Sequence, residues 1–362
     1  MSCSATSRAS RSTRALRGPS AGSASIGPHI RKTRRRCPRT RSSRRISTLA
    51  GKRPHPSSPL RSGLVVALFG PTASGKTAVA EAFAERSGGD VVSADAMQAY
   101  RGLAILTAQP ARPTRLVGIW PLSHEGSVAE YAVAAHHEID AILAERRPPI
   151  VVGGTGLYFR AALAELNLPP APSDEQRQRW ERVYDRIGGD SAYALLEERD
   201  PAAASRLHPN DRRRIVRALE LTELGRSLRA EEDRLWTGET RHPTIVFGLD
   251  VPRETLERRI EERAGAMFAA GVEQEVRAVL AGDVSPTAVH ALGLREIAEL
   301  PRERALAALV TRTRRYAAYQ RKWMRRIPGL VTVAGDRPPG VTADEMLEVA
   351  RARQRLPARR AG

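Results

Sequence analysis

The chain has 362 residues, 41% of them apolar, which is enough for one large domain or two ordinary ones, and its net charge of +19 indicates a polyanionic partner. Both cysteines, Cys3 and Cys37, lie near the N-terminus, which excludes a disulfide framework or a cysteine-based metal site from the remainder. No apolar run approaches the length of a membrane span, so we expect a cytoplasmic protein with no membrane association.

Residues 1–61 have an extreme composition, with 16 of the 59 basic residues and no acidic residue. A segment so rich in Arg, Ser and Pro cannot bury enough apolar surface to fold, and we predict disorder. Its origin is an organellar transit peptide, a nonspecific RNA-binding arm or translated sequence upstream of the true start. We favour the last, because the first predicted strand begins at Leu64. The remaining residues hold 43 basic and 40 acidic side chains, so RNA binding must be argued from local clusters.

Short, continuous apolar runs predict strands that are buried on both faces of a parallel sheet. These runs are Leu64–Phe69, Asp90–Asp95, Pro149–Gly154 and Thr244–Val251. Helical periodicity separates them, at 78–86, 128–146 and 255–280. Strands that alternate with helices predict an α/β class fold, here a doubly wound core like that of P-loop NTPases, over residues 62–170 and 242–338.

The strand signal disappears between residues 171 and 241. Ser173 and Gln176 have the spacing of a capping box that opens a helix, and helical segments follow at 192–199 and 211–223. We therefore predict that an all-helical subdomain is inserted into the α/β core at this point.

The segment GPTASGKT, Gly70–Thr77, fits the phosphate-loop pattern G-x-x-x-x-G-K-[ST], after a buried strand and before a helix. Gly70 and Gly75 let the backbone curl so that its N–H groups point at phosphate oxygens. Lys76 brings a positive charge to the phosphates, and the Thr77 hydroxyl suits Mg²⁺. The context favours a diphosphate or triphosphate site over a glycine-rich turn that binds nothing.

Asp95 ends the second predicted strand, at the edge of the sheet that faces the ligand crevice in open α/β folds. It would hold a metal, take a proton from an acceptor or cap the next helix, and the sequence leaves these roles open. The third strand ends in glycines and Thr155, without a carboxylate.

An arginine interrupts the apolar stripe that runs from Leu256 to Met267 at spacings of three and four. Arg263 falls on this stripe, and Arg259 lies at its edge. An inward guanidinium needs an anion, which is either a diphosphate or a glutamate of a neighbouring helix.

Two basic clusters lie in the second half of the chain. The first, within His208–Glu220, contains Arg212, Arg213, Arg214 and Arg217. The second belongs to a long helix expected from Arg302 to about Arg326, which also carries Tyr316, Tyr319 and Trp323. For the arginines we favour an RNA backbone, and for the aromatic residues we favour packing in the core. A C-terminal helix with a frayed tail is predicted at 339–362.

The chain resembles the bacterial tRNA dimethylallyltransferases in segments that keep the family's order and spacing from Gly70 to about Arg326. These segments are GPTASGKT, SADAMQAYRG, TAQP, VVGGTGLYFRAAL, HPNDRRRIVRALE, RRIEER, ALGLREI and TRRYAAYQRKW. The resemblance implies that dimethylallyl diphosphate is the donor, with Mg²⁺, and that the acceptor is the N6 amine of the adenosine 3′-adjacent to the tRNA anticodon. A monomer is expected.

The resemblance also implies a role for individual residues. Asp95 corresponds to the general base, Arg263 to an arginine that contacts the diphosphate, and Thr155 to a residue of the channel where the two substrates meet. The diphosphate-binding loop is Gly70, Pro71, Thr72, Ala73, Ser74, Gly75, Lys76 and Thr77, with Thr77 on the Mg²⁺. The implied tRNA contacts are Asp95, Ala96, Met97, Gln98, Thr155, Arg177, Arg213, Arg214, Arg217 and Arg321.

The chain departs from the family at Ala96, Gln109 and Leu294, where Ser, Lys and Tyr are usual, and at Arg115–Leu122, which replaces a His-rich segment. These departures concern peripheral contacts. The rival functions are an adenylate isopentenyltransferase, a P-loop kinase of a small molecule and a noncatalytic RNA-binding protein. The inserted helices disfavour the first, the kinase would need a lid with arginines, and the last has no need of both Lys76 and Asp95.

Overall fold

The structure is a computed structural model that describes residues 60, 62–169, 171–228, 235 and 237–355. The predictions on the N-terminal tail and on the frayed C-terminus, 356–362, lie outside the described residues. Within them, parallel strands form one sheet in the order β2-β3-β1-β4-β5. The strands are β1 (Val65–Phe69), β2 (Asp90–Ala94), β3 (Pro149–Gly153), β4 (Thr244–Asp250) and β5 (Val331–Ala334).

The parallel α/β core confirms the predicted fold class, and the first four strands lie where the apolar runs placed them. The edge strand β5 was not predicted, because its sequence VTVA is only four residues long and only one of them is buried. Val66 pairs with Ile150 of β3 and with Ile245 of β4, which puts β1 at the centre of the sheet. The segment that follows β1 therefore emerges in the middle of the ligand-binding edge.

Helices cover both faces of the sheet. They are α1 (Lys76–Ser87), α2 (Val128–Ala144), α3 (Gly156–Leu163), α4 (Asp174–Ile187), α5 (Gly189–Arg199), α6 (Pro201–Ala204), α7 (Arg212–Glu223), α8 (Arg253–Ala269), α9 (Val272–Leu280), α10 (Leu294–Glu299), α11 (Arg302–Met324) and α12 (Pro339–Arg355). Val66 and Leu68 of β1 pack with α1 and α12, whereas Ala67 and Phe69 pack with α2, α3 and α9 to α11. The described helices include none with the length and apolar content needed to cross a membrane.

The prediction of a single helix at 255–280 is wrong. The structure divides it into α8 and α9 at Gly271, which adopts a left-handed φ of 92°. Glycine reaches this conformation without a steric penalty, whereas the apolar spacing runs on across the break. The apolar stripe of α8, with Leu256 and Ile260, is buried against Ala317 of α11. The break therefore leaves the stripe that carries Arg263 in place.

The helices α4 to α7 pack around a core of their own, with Trp180, Leu196 and Leu219 among its buried side chains. The predicted capping box is confirmed at its first half, since Gln176 N donates to Ser173 Oγ (3.2 Å). This agrees with the predicted all-helical insertion. The chain then returns to the sheet and enters β4.

Candidate active site

The phosphate loop joins β1 to α1 and is closed by its own backbone. Ser74 N donates to Pro71 O (3.2 Å), and Ala73 and Gly75 adopt left-handed φ values of 61° and 88°. Alanine is strained in this region, so the surrounding contacts must hold it there. The helix α1 has no side-chain cap on its first turn. Its N–H groups are thus oriented to bind an anion.

Lys76 is the cation of this loop, with Nζ 3.5 Å from Pro71 O. Burial lowers the pKa of Lys76 to about 8, the carboxylate of Asp95 opposes that shift, and the guanidinium of Arg263 adds to it. The negative charge of Asp95 offsets burial and the neighbouring guanidinium only in part, so further negative charge would stabilise the Lys76 ammonium. A bound diphosphate supplies that charge, so the electrostatics of the loop favour a polyanion.

Two arginines of α8 contact the phosphate loop. Arg263 Nη1 donates to Thr72 Oγ1 (3.1 Å), and Arg259 Nη1 donates to the carbonyl oxygens of Ser74 (3.1 Å) and Gly335 (2.9 Å). Burial lowers the pKa of Arg263, and the charge of Asp95 opposes this shift. Among the described residues no carboxylate forms an ion pair with Arg263, so the glutamate alternative is not the one adopted. Arg259 instead fixes the loop backbone.

Asp95 directly follows β2 and faces the same space. Its Oδ1 accepts a hydrogen bond from Met97 N (3.0 Å), which fixes the carboxylate in an Asx turn. Asp95 lines one pocket together with Lys76, Thr77 and Gln98, and we call this the edge pocket. The structure thus brings the carboxylate, the loop cation and the hydroxyl proposed for Mg²⁺ to the same place.

A second pocket, the apolar pocket, adjoins the loop on the side of α8. Thr72 and Arg263 form its polar end, and Leu106, Met267 and Leu309 are among its apolar walls. A ligand with a charged head and a short apolar chain matches this combination.

Tyrosine side chains of α2, α3 and α11 lie near Asp95. Burial raises the pKa of Tyr131 and Tyr158, and that of Tyr316 to about 12, and the charge of Asp95 contributes to each shift. The hydroxyl of Tyr316 lies 3.3 Å from Thr155 Oγ1 at the start of α3. The phenols are therefore protonated at neutral pH, and Asp95 is the carboxylate among them.

The side chains of the segment 96–98, which follows Asp95, mainly pack against and hydrogen-bond to neighbouring parts of the protein. Ala96 is buried, and Met97 packs against the core. The Gln98 amide donates to the carbonyl oxygens of Thr107 (3.3 Å) and Ala108 (3.1 Å). Any contact of these residues with tRNA would thus involve a loop whose shape is already fixed.

The departures from the family have structural roles here. Gln109 Nε2 donates to the carbonyl oxygens of Gln98 (3.1 Å) and Tyr100 (2.7 Å), and so supports the segment behind Asp95. Leu294 is buried in the main core. Arg115 forms ion pairs with Asp90 and Glu138, 3.0 and 2.6 Å long.

Arg177 and Arg217, both predicted to bind tRNA, converge on one buried carboxylate. Glu220 is only 1% exposed, and its oxygens lie 3.8 Å from Arg177 and 2.9 Å from Arg217. Arg177 also pairs with Glu125. Burying an unpaired carboxylate is costly, so both arginines stabilise the inserted helices whatever else they contact.

Arg213 and Arg214 are exposed on α7. The charge of Arg213 opposes the effect of burial on the pKa of Tyr158, so Arg213 lies beside the tyrosine side of the site. Arg321 of α11 pairs with Asp250 (3.2 Å). The residues predicted for tRNA thus lie on several elements and engage different partners, and among these arginines Arg213 is the one placed beside the site.

Sequence reasoning missed two buried polar residues, Gln320 and Arg160. Gln320 lies on α11 and contacts the phosphate loop. Arg160 lies on α3, which was not predicted, and donates to the carbonyl oxygens of Leu235 (3.0 Å), Thr237 (3.0 Å) and Glu239 (3.2 Å). For Gln320 the available signal was a long polar residue within the predicted helix from Arg302 to about Arg326, whereas Arg160 had no such signal because its helix was not predicted. Tyr319 differs from the predicted core packing, since it is 50% exposed.

Comparisons with known proteins agree with this geometry. A family model described as IPP transferase matches residues 98–327, and one described as isopentenyl transferase matches residues 63–118. The tRNA dimethylallyltransferase of Corynebacterium jeikeium is 36% identical over 77% of this chain and 94% of its own length. Those of Anaeromyxobacter dehalogenans and Streptomyces coelicolor are 39% and 40% identical, over 77% and 75% of this chain and 97% and 90% of their own lengths.

Solved structures show the same likeness. The tRNA isopentenylpyrophosphate transferase of Bacillus halodurans is 29% identical, covers 81% of this chain and 96% of its own, and superposes with a TM-score of 0.57. A eukaryotic dimethylallyltransferase acting on tRNA is 22% identical, covers 83% of this chain and 82% of its own, and superposes with a TM-score of 0.68. At this identity the likeness supports the fold alone. The chain belongs to the IPP transferase family.

Proposed function

We propose that the chain is a tRNA dimethylallyltransferase, which transfers the dimethylallyl group of dimethylallyl diphosphate to the N6 amine of the adenosine 3′-adjacent to the anticodon. The observation that carries this proposal is the convergence of Lys76, Arg263 and Asp95 at one edge of the sheet. Two cations and the first turn of α1, which has no side-chain cap, suit a diphosphate, and a single carboxylate suits a proton acceptor.

The transfer forms a bond between N6 and C1 of the allyl group and breaks the bond between C1 and the diphosphate oxygen. The amine lone pair is delocalised into the ring, so removal of the N6 proton by Asp95 as the bond forms would contribute roughly 10² to 10⁴ in rate. Lys76, Arg263 and the loop N–H groups stabilise the negative charge of the leaving diphosphate. We place the dimethylallyl chain toward the apolar pocket beside Arg263, whose walls include Leu106, Met267 and Leu309.

Mg²⁺ is the metal we propose for this site. The Thr77 hydroxyl lines the edge pocket, and such an oxygen donor fits the ion. When bound, Mg²⁺ would supply further positive charge to the diphosphate. We propose that the protein acts as a monomer and that the reaction takes place in the cytoplasm.

The acceptor is proposed to be the anticodon stem-loop, because a free nucleotide requires no inserted helical unit. The exposed Arg213 and Arg214 of α7 suit phosphates of the stem-loop. The target base must leave its stack to reach Asp95, at a cost of a few kcal/mol.

The acceptor is tested by incubating the full chain with Mg²⁺, radiolabelled dimethylallyl diphosphate and either unmodified tRNA or AMP. Label on tRNA is the expected result. Label on AMP alone would identify an adenylate isopentenyltransferase, and consumption of ATP without label transfer would identify a kinase.

A further inference from the structure

Gln320 stands out as a buried amide on a helix that is otherwise rich in arginine. It lies on α11 between Tyr316 and Trp323, and only 1% of it is exposed. Its Oε1 accepts from Thr72 N (2.7 Å), and its Nε2 donates to Gly154 O (3.0 Å). One side chain thus joins the phosphate loop to the residue that precedes Thr155.

The backbone at Gly154 lies close against this amide. A Cβ at Gly154 would lie 2.3 Å from Gln320 Nε2 and 2.7 Å from Gly70 O. Glycine at this position therefore lets the amide reach both partners. The acceptor and a donor of the amide are both used, so the side chain is fixed in one orientation.

The contact with Thr72 changes what that residue offers to a ligand. Its N–H points at Gln320, and its hydroxyl accepts from Arg263 Nη1 (3.1 Å). A hydrogen-bonded path therefore runs from Gly154, which precedes the expected channel residue Thr155, through Gln320 and Thr72 to the arginine proposed for the diphosphate.

We propose that Gln320 is a positioning residue that fixes the separation between the phosphate loop and the carboxyl end of β3, and thereby aligns the donor with the acceptor. The proposal rests on the transferase function. Gln320 itself contacts neither substrate in this proposal. The alignment of the donor with the acceptor depends on this amide, whereas tRNA binding does not.

The test compares Gln320→Met, which has a similar length but forms neither hydrogen bond, with Gln320→Glu, which keeps an acceptor for Thr72 N. Gln274→Met, on the exposed side of α9, is the matched control. We expect Gln320→Met to lower kcat for label transfer roughly tenfold to a hundredfold, because small misalignments at a reacting centre cost that much. Its KM for tRNA should stay within about twofold of the wild type.

Hydrogen exchange of the Thr72 amide, measured by NMR on protein labelled with ¹⁵N-threonine, tests the same proposal without activity. The amide should be protected in the wild type and in Gln320→Glu and should exchange faster in Gln320→Met. A folded Gln320→Met with wild-type kcat, or a wild-type Thr72 amide that exchanges as fast as an exposed one, would overturn the proposal. A wild-type chain that is inactive on every acceptor, yet has a protected Thr72 amide, would overturn the function and not this contact. If Gln320→Met does not fold, the exchange rates of the Thr72 amide in the wild type and in Gln320→Glu still test whether the hydrogen bond to residue 320 protects it.

Discussion

At the scale of single residues, the site consists of charges whose environment makes them depend on a ligand. Lys76, Arg263 and Asp95 influence one another, and burial disfavours both cations. The sequence predicted these three residues from a loop pattern, a strand end and a misplaced arginine. It did not predict the Thr72 hydroxyl as the partner of Arg263, because that contact joins residues 191 positions apart.

The first prediction concerns pH. Burial lowers the pKa of Lys76 to about 8, so the free protein loses this cation as the pH rises through that value. Only the cation attracts the diphosphate, and the bound anion raises the pKa again. We therefore expect kcat/KM for the donor to fall about tenfold per unit above the pKa of Lys76, as for loss of one essential proton. A kcat/KM that stays constant up to pH 10 would contradict this prediction. In Lys76→Met, kcat/KM for the donor should be low and should not change across this pH range.

The second prediction concerns Arg263. Replacing it with methionine removes a donor to the leaving diphosphate, and we expect kcat/KM to fall roughly 10²-fold. The control is Arg258→Met on the same helix, whose side chain is 62% exposed and pairs with Glu262. If both variants retain wild-type kinetics, Arg263 has no part in diphosphate binding.

At the scale of the elements, apolar periodicity located the central strands and most helices, because burial on a sheet or helix face leaves a regular pattern. It missed α3, whose start is the loop of glycines after β3. That helix approaches α11 so closely that a Cβ at Gly156 would lie 2.1 Å from the Trp323 ring. Such close approaches depend on the three-dimensional arrangement and have no periodic signal.

The third prediction follows from this contact. Gly156→Ala forces α3 and α11 apart and should lower the free energy of unfolding by about 1–3 kcal/mol, the usual cost of overpacking. Gly265→Ala is the matched control, because Gly265 lies within α8 with no atom near the added methyl group. It should stabilise the protein by about 0.5–1 kcal/mol, since alanine is the better helix former. Denaturant unfolding measures both changes, and equal effects would refute the steric argument.

At the scale of the whole molecule, the high net charge comes largely from residues 1–61, and the described part divides its arginines between two tasks. Arg177 and Arg217 stabilise the inserted helices through Glu220, whereas Arg213 and Arg214 are exposed. Arg217 shares one sequence cluster with Arg213 and Arg214. Its i,i+3 spacing from Glu220 is visible in the sequence, but the burial of Glu220 and its second pair with Arg177 depend on tertiary packing.

The fourth prediction uses this division. The double variant Arg213→Ala/Arg214→Ala should raise KM for tRNA and reduce the slope of log affinity against log salt by about two, one for each lost phosphate contact. The affinity for the donor should not change. The control is Arg253→Ala/Arg258→Ala, two exposed arginines of α8. An equal loss of tRNA affinity in the control would mean that net charge, and not α7, determines binding.

The most direct test of the account is the single-turnover rate of label transfer to tRNA by Asp95→Asn. Asparagine keeps the shape of the side chain and an oxygen for Met97 N, but it is a far weaker proton acceptor. We expect a rate lower by roughly 10² to 10⁴ with the donor affinity retained, because a general base is removed. A rate within tenfold of the wild type would contradict the role of Asp95, and a loss confined to donor affinity would make it a metal ligand instead.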